Sequence, residues 1–257
     1  MSGSPVFRTP DDALLDDVER SGDRLVRAAA GLSAADLRGP SGLASWTRGR
    51  VLAHVRHSAE AYVRLLRLAR AGREPGPRAD AAAPAAAVER DGELPAGRPA
   101  EELRAGLDRF TAEARAMPAP AWDRRVPAPA GWWHPAWYLP LRCLREPEAH
   151  HLDLDTGHGT DKWPDGYVRW ALDDTLTTLR TQGFPVASVR AVDLGRHWSA
   201  AAHGPSVAGA GHRLLGRLSG RLRADALTSD RPAHLLPRPP AWPQPPLPGW
   251  GRVDDGT

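Results

Sequence analysis

The 257-residue chain has a single cysteine, Cys143. One thiol cannot close an internal disulfide, and it excludes a metal site built from cysteine pairs. Such a chain fits a reducing, intracellular setting, so any thiol chemistry would draw its thiol from a small molecule. Lysine is as scarce: Lys162 stands alone, and the 34 basic residues are otherwise arginine. Against 31 acidic residues the net charge is only +3. Arginines such as Arg64, Arg67 and Arg70 alternate with apolar residues instead of forming a block. That pattern belongs to a solvated helix face and argues against a nucleic-acid partner. No run approaches the ~18 apolar residues of a membrane span. Residues 1–10 lack the apolar stretch of a secretory signal and lead directly into Asp11 and Asp12. The expectation is a soluble cytoplasmic protein, with monomer or dimer left open.

What is present suits two modest domains. Hydrophobic residues make up 41% of the chain, enough for a sizeable interior. Leu14, Leu15, Val18, Leu25, Val26 and Ala29 recur at helical spacing and predict a helix over 11–32. Ser33 to Asp36 carries a capping pattern for a short helical turn. Thr47 is the expected cap of a second helix to Ala71, striped by Val51, Leu52, Val55, Ala59, Tyr62, Val63 and Leu66. Residues 72–98, rich in Ala, Pro and Gly, read as a mobile connector. A third helix is expected over 100–116, a proline-rich loop after it, and a fourth helix over 139–154. Four helices with long crossovers suggest a bundle whose site lies between facing helices. Beyond Gly157 the expectation is a helix over 166–182, short strands over 186–194 and 196–202, and a further helix within 207–221. The tail from Arg231 to Trp250 reads either as a polyproline ligand or as an extended segment packed through Trp242 and Trp250. No internal repeat is visible.

Three residues stand out as a chemical group: His54 on the second helix, and Glu146 and His150 on the fourth. Glu146 and His150 are four residues apart and share a helix face. Two ligands from one helix and one from its neighbour can form a three-ligand site that suits zinc and leaves a position open. Spacing alone is a weak signal, since a surface Glu–His pair and a histidine at the edge of a core stripe give the same pattern.

The stretch Ser41–Glu60, SGLASWTRGRVLAHVRHSAE, resembles the mycothiol-dependent maleylpyruvate isomerase family, whose N-terminal domain is DinB-like. Its Trp-Thr pair, Trp46-Thr47, precedes a metal-binding histidine two turns on, here His54. The stretch Arg145–Gly157, REPEAHHLDLDTG, is similar to the family's second signature and places Glu146 and His150 on ligand positions. Val189–Trp198, Leu214–Arg221 and Leu247-Pro248-Gly249-Trp250 match its C-terminal part in outline, so the resemblance covers nearly the whole chain. It implies an α+β fold, with a DinB-like four-helix bundle over 1–160 and a small α/β domain over 161–257. It also implies a divalent metal, zinc by preference, held by His54, Glu146 and His150. Mycothiol or a similar small thiol would be the cofactor and a small electrophile or dienoate the substrate. Arg221, in the family's Gly-Arg position, would clamp an anionic ligand, and Trp46 would line the cofactor site. Two reactions share this chemistry: cis-trans isomerisation, which regenerates the thiol, and S-transfer, which consumes it. A non-catalytic metal-binding or regulatory bundle is the competing class.

The chain departs from the family in two places. Ser45 replaces a usual glycine. Pro147, directly after Glu146, removes a helical hydrogen bond to the Cys143 carbonyl, so the helix should kink or restart there; His151 and Glu148 are then the substitute ligands. Asp153 can orient a ligand histidine or be a solvated helix-end acid. His57, Trp132, Trp133 and Trp137 are candidates for the cavity wall or plain packing. Cys143, on an apolar helix, is not expected to be a nucleophile.

Overall fold

The computed structural model describes residues 10–73, 82–93, 95–128 and 132–239. The chain divides into two units, residues 1–128 with 133–158, and residues 129–132 with 159–257. The first is a four-helix bundle. Helix α1 (Asp12–Ala30) starts where the Asp11 carboxylate accepts from Leu14 N at 2.9 Å. A short α2 (Ala34–Arg38) carries a full capping box between Ser33 and Asp36. Helix α3 (Arg48–Ala71) is capped by Thr47, whose hydroxyl accepts from Arg50 N at 3.1 Å, and ends on Gly72 at φ 64°. Helices α4 (Ala82–Asp91), α5 (Arg98–Arg115) and α6 (Leu139–Asp153) follow. Helix α3 packs against α5 and α6, and α1 packs against the same two, closing a ring. Leu25, Leu52, Tyr62, Leu66, Leu103, Phe110, Leu139 and Leu154 are among the largest fully buried side chains. Each such apolar side chain contributes about 1.5–3 kcal/mol by leaving water.

The second unit pairs helices α7 (Asp165–Thr181) and α8 (Gly211–Leu218) with a mixed sheet. Its strand order is β4-β3-β5-β6, with β3 Ser188–Ala191, β4 Arg196–Ser199, β5 Ser206–Gly209 and β6 Thr228–Ser229. Strands β3 and β5 are parallel, and the outer pairs are antiparallel. Val189, Ala191 and Val207 are buried with Leu172, Leu179, Leu214 and Leu215. The Asp193 carboxylate accepts from Gly211 N at 2.8 Å and so caps α8. The α+β expectation holds, and among the described residues no helix is long and apolar enough to cross a membrane.

The structure corrects the reading of 72–98 as a mobile connector in one part. Ala82–Asp91 is helical, because alanine is the best helix former and Pro84 sits in the first turn, where its missing N–H has no intrahelical partner anyway. The loop after α5 holds a two-strand pair, β1 (Arg125–Pro127) with β2 (Trp133–Pro135), too short to show a period in sequence. The helix expected within 207–221 is α8, and strand β5 precedes it. Trp242, Trp250 and the terminal Leu-Pro-Gly-Trp lie outside the described residues.

Helix α4 is held against α3 where two glycines let backbones touch. A Cβ on Gly49 would lie 2.2 Å from the carbonyl oxygen of Gly92, an atom that cannot swing away. Gly49→Ala should therefore push α4 off α3 and cost about 1–3 kcal/mol, read as a lower urea midpoint. Unchanged stability would mean that this backbone contact is dispensable.

Candidate metal centre

The sequence brings the ligands together by locking the start of α3 onto the end of α6. Gly42 N donates to the Asp153 carbonyl at 2.7 Å, and Arg48 Nε donates to the Leu154 carbonyl at 2.6 Å. An arginine at a helix C-terminus satisfies carbonyls that have no partner within the helix. The loop between them closes on itself through Ser41 N donating to the Trp46 carbonyl at 2.9 Å. Ser45, in this loop, takes φ 65°. Glycine reaches that left-handed region freely and serine at a cost of about 1 kcal/mol, which is why the family's usual glycine suits the position.

On this scaffold His54, Glu146 and His150 each point a ligand atom into one space, all within 4.8 Å of one another. Glu146 Oε2 lies 3.4 Å from His54 Nε2 and 3.4 Å from His150 Nε2. The two imidazoles meet edge to face with centroids 4.9 Å apart. Helix α6 runs unbroken through Pro147, so Glu146 keeps the face of His150 one turn away and is not displaced. Burial pushes the Glu146 carboxyl pKa up, but hydrogen bonds and charge from His150 and His54 outweigh it and hold the group well below the usual carboxylate range. His150 Nδ1 lies 2.8 Å from Asp153 Oδ2. Burial lowers the His150 pKa, and Asp153 and Glu146 more than reverse that, leaving it raised. Asp153, 4% exposed in its side chain, is a histidine-orienting acid and not a solvated one. Two imidazole nitrogens and a carboxylate oxygen, one imidazole fixed from behind, form a donor set that fits zinc.

Trp46 packs edge-on to His54 at 5.5 Å, and the Arg50 guanidinium lies 4.4 Å above its ring. Tyr62, two turns beyond His54, donates its hydroxyl to Glu146 Oε1 at 2.6 Å. It read only as a core-stripe residue; its place on the same face as His54 was the available signal. The substitute ligands are engaged elsewhere. His151 stacks flat on His158 at 3.7 Å, and Glu148 is paired with Arg24. His57 turns to Asp91, 2.8 Å away, and is peripheral. Trp133 lies on β2 and Trp137 packs on Tyr138 at 6.0 Å. Cys143 is fully buried, and burial, with the charge of Glu146, pushes its thiol pKa well up. Arg221 belongs to the second unit, just past α8, and its guanidinium donates to the Ser219 carbonyl at 3.3 Å. Of its neighbours, Arg217 donates to the Pro237 carbonyl at 2.8 Å and Arg223 lies 3.5 Å from Asp225.

The Arg24–Glu148 pair ties α6 to α1. Glu148 has a raised pKa, from burial first, with Arg24 opposing the rise. A carboxylate whose folded-state pKa lies above its unfolded value loses stability as pH rises through the folded value. Without Arg24 that loss should deepen. Arg24→Ala should cost roughly 3 kcal/mol at neutral pH, the low end for a buried pair because Arg24 is itself 31% exposed. The cost should shrink toward acid pH, where Glu148 is protonated. Urea unfolding at both pH values checks this; an equal loss at each would show that the pairing is not electrostatic.

The comparisons with known proteins bear on the fold and the family. No curated protein matches the chain in sequence. Two solved structures superpose on it, a mycothiol-dependent maleylpyruvate isomerase and a histidine-to-alanine variant of that enzyme. Each has a TM-score of 0.81 and 21% identity, covering 91% of this chain and 97% of the other. At that identity the likeness establishes the fold. The family described as "Mycothiol maleylpyruvate isomerase N-terminal domain" matches residues 10–155, which include every residue of the candidate centre and more than half of the chain. The chain belongs to the mycothiol maleylpyruvate isomerase N-terminal domain family.

Proposed function

We propose that the protein is a cytoplasmic metal-dependent thiol enzyme, a mycothiol-dependent cis-trans isomerase acting on a small dienoate of the maleylpyruvate type. The observation that carries this reading is the convergence of His54, Glu146 and His150 from two helices, in a chain of this family. His54, Glu146 and His150 would hold a divalent cation, zinc by preference. Such a cation stabilises a thiolate near neutral pH, and a thiolate adding reversibly to a conjugated double bond lets that bond rotate before the thiol leaves. Asp153, 2.8 Å from His150 Nδ1, would accept the proton there and leave Nε2 as the nitrogen that would hold the cation. Trp46, packed edge-on to His54, would line the cofactor site. Cys143 supplies no nucleophile, since burial keeps its thiol protonated. The domain boundary that fits this reading is near residue 160, and Arg221, past α8, is the residue we assign to an anionic ligand. A guanidinium there can take a carboxylate of the thiol or the substrate through two parallel hydrogen bonds.

The purified protein should carry about one divalent ion per chain, and both His54→Ala and His150→Ala should lose it together with turnover. Full metal occupancy in both variants would sink the site. Cys143→Ser should keep activity, and activity should require added small thiol. If the thiol is recovered unchanged, the enzyme is an isomerase; if it is consumed in proportion to product, the enzyme is an S-transferase. Turnover without any thiol would remove both, whereas a folded protein with no turnover, with or without thiol, would favour a non-enzymatic bundle.

Arg221→Lys keeps the charge and loses the fork. It should lower kcat/KM about tenfold to a hundredfold, the kinetic equivalent of losing one charge-assisted contact of about 1.5–3 kcal/mol. Metal content and folding should not change. Wild-type kinetics in Arg221→Lys and Arg221→Ala alike would place this arginine outside the site.

A further inference from the structure

Glu146 has two oxygens and they are treated differently. Oε2 faces both histidines at 3.4 Å. Oε1 accepts the hydroxyl of Tyr62 at 2.6 Å. Tyr62 is 2% exposed, so water does not compete for its hydroxyl. The ring is fixed on both sides, edge-on to Phe110 at 6.3 Å and under the Arg142 guanidinium at 5.2 Å. Arg142 is in turn 3.5 Å from His134 Nε2, while His134 Nδ1 lies 2.9 Å from the Pro135 carbonyl. Burial first, and Arg142 second, lower the His134 pKa to about 3. His134 is therefore neutral at ordinary pH, with Nδ1–H donating and Nε2 accepting. A rigid chain of side chains thus ends on one oxygen of the central carboxylate.

We propose that Tyr62 is a positioning residue of the metal centre, whose hydroxyl occupies Glu146 Oε1 so that the carboxylate offers a metal ion one oxygen, Oε2, and not two. The inference rests on the metal-site reading and adds the mode in which Glu146 binds. A carboxylate that spends both oxygens on a cation fills one more coordination position. Tyr62 thereby preserves the open position that a thiol must occupy. Outer groups of this kind typically alter metal affinity by about 10–100-fold.

The test uses zinc and cobalt(II) on the full chain. In wild-type protein, the infrared difference between zinc-loaded and metal-free samples should show the wide separation of carboxylate stretches that marks a one-oxygen ligand. Tyr62→Phe keeps the ring and its contacts. It should narrow that separation, weaken the intense visible bands of the cobalt(II) form as coordination number rises, and change zinc affinity about 10–100-fold in chelator competition. In a Glu146→Ala background the same substitution should leave zinc affinity unchanged, because the hydroxyl then has no carboxylate to hold. If wild type takes up no metal, the metal reading falls and this inference with it. If wild type binds zinc with a two-oxygen carboxylate signature, or if Tyr62→Phe matches wild type in both spectra and affinity, this inference alone is overturned. The wild-type infrared measurement decides the matter even should Tyr62→Phe fail to fold.

Discussion

A carboxylate held inside a helical bundle is the constraint on which the centre depends. Removing such a group from water costs several kcal/mol unless partners compensate it. Glu146, 16% exposed in its side chain, meets that cost with partners from three directions: His54 across the helix pair, His150 one turn along, and Tyr62 behind. Each partner is in turn constrained. His150 is held by Asp153, His54 is packed by Trp46, and Tyr62 is fixed between Phe110 and Arg142. In a cluster of this kind the loss of one member leaves charge unbalanced in the others, so its residues act as a unit and not as independent contacts.

Geometry at that scale requires that α3 and α6 not slide past one another. The structure secures this at the helix ends. Asp153 serves twice, its side chain holding His150 and its carbonyl accepting from Gly42 N. Arg48, in the first turn of α3, reaches the Leu154 carbonyl at the end of α6. The hydrogen bonds that terminate α6 therefore also set its register against α3, and that register places His54 opposite His150. Pro147 is tolerated because the surrounding turns and packing hold the helix together despite one missing hydrogen bond.

Other acids and histidines of the bundle have partners away from the centre. Glu148 is neutralised by Arg24, Asp91 is shared by Arg56 and His57, and His151 lies flat against His158. The scarcity of lysine fits this use of charge. Arginine's planar fork makes directed pairs across helices, such as Arg67 with Glu113 at 2.7 Å and Arg115 with Asp16 at 2.7 Å.

The sequence by itself determined the helices that carry periodic apolar stripes and clear caps. Asp11, Ser33 and Thr47 each mark a helix start through a bond to a backbone N–H three residues on, a local interaction that local sequence can encode. It also named His54, Glu146 and His150, because one pair shares a helix turn and the stretches around all three resemble a known family. It missed α4, whose prolines suggested a break although Pro84 falls in the tolerant first turn, and β1, β2 and β6, which are three residues or fewer and exist only because a partner strand lies beside them. Tertiary structure alone decided that Glu146 survives Pro147, that Glu148 and His151 serve other partners, and that Tyr62 grips the second carboxylate oxygen. Those outcomes depend on which side chain of a distant helix arrives within ~3 Å. No spacing along one chain specifies that distance until the helices have packed.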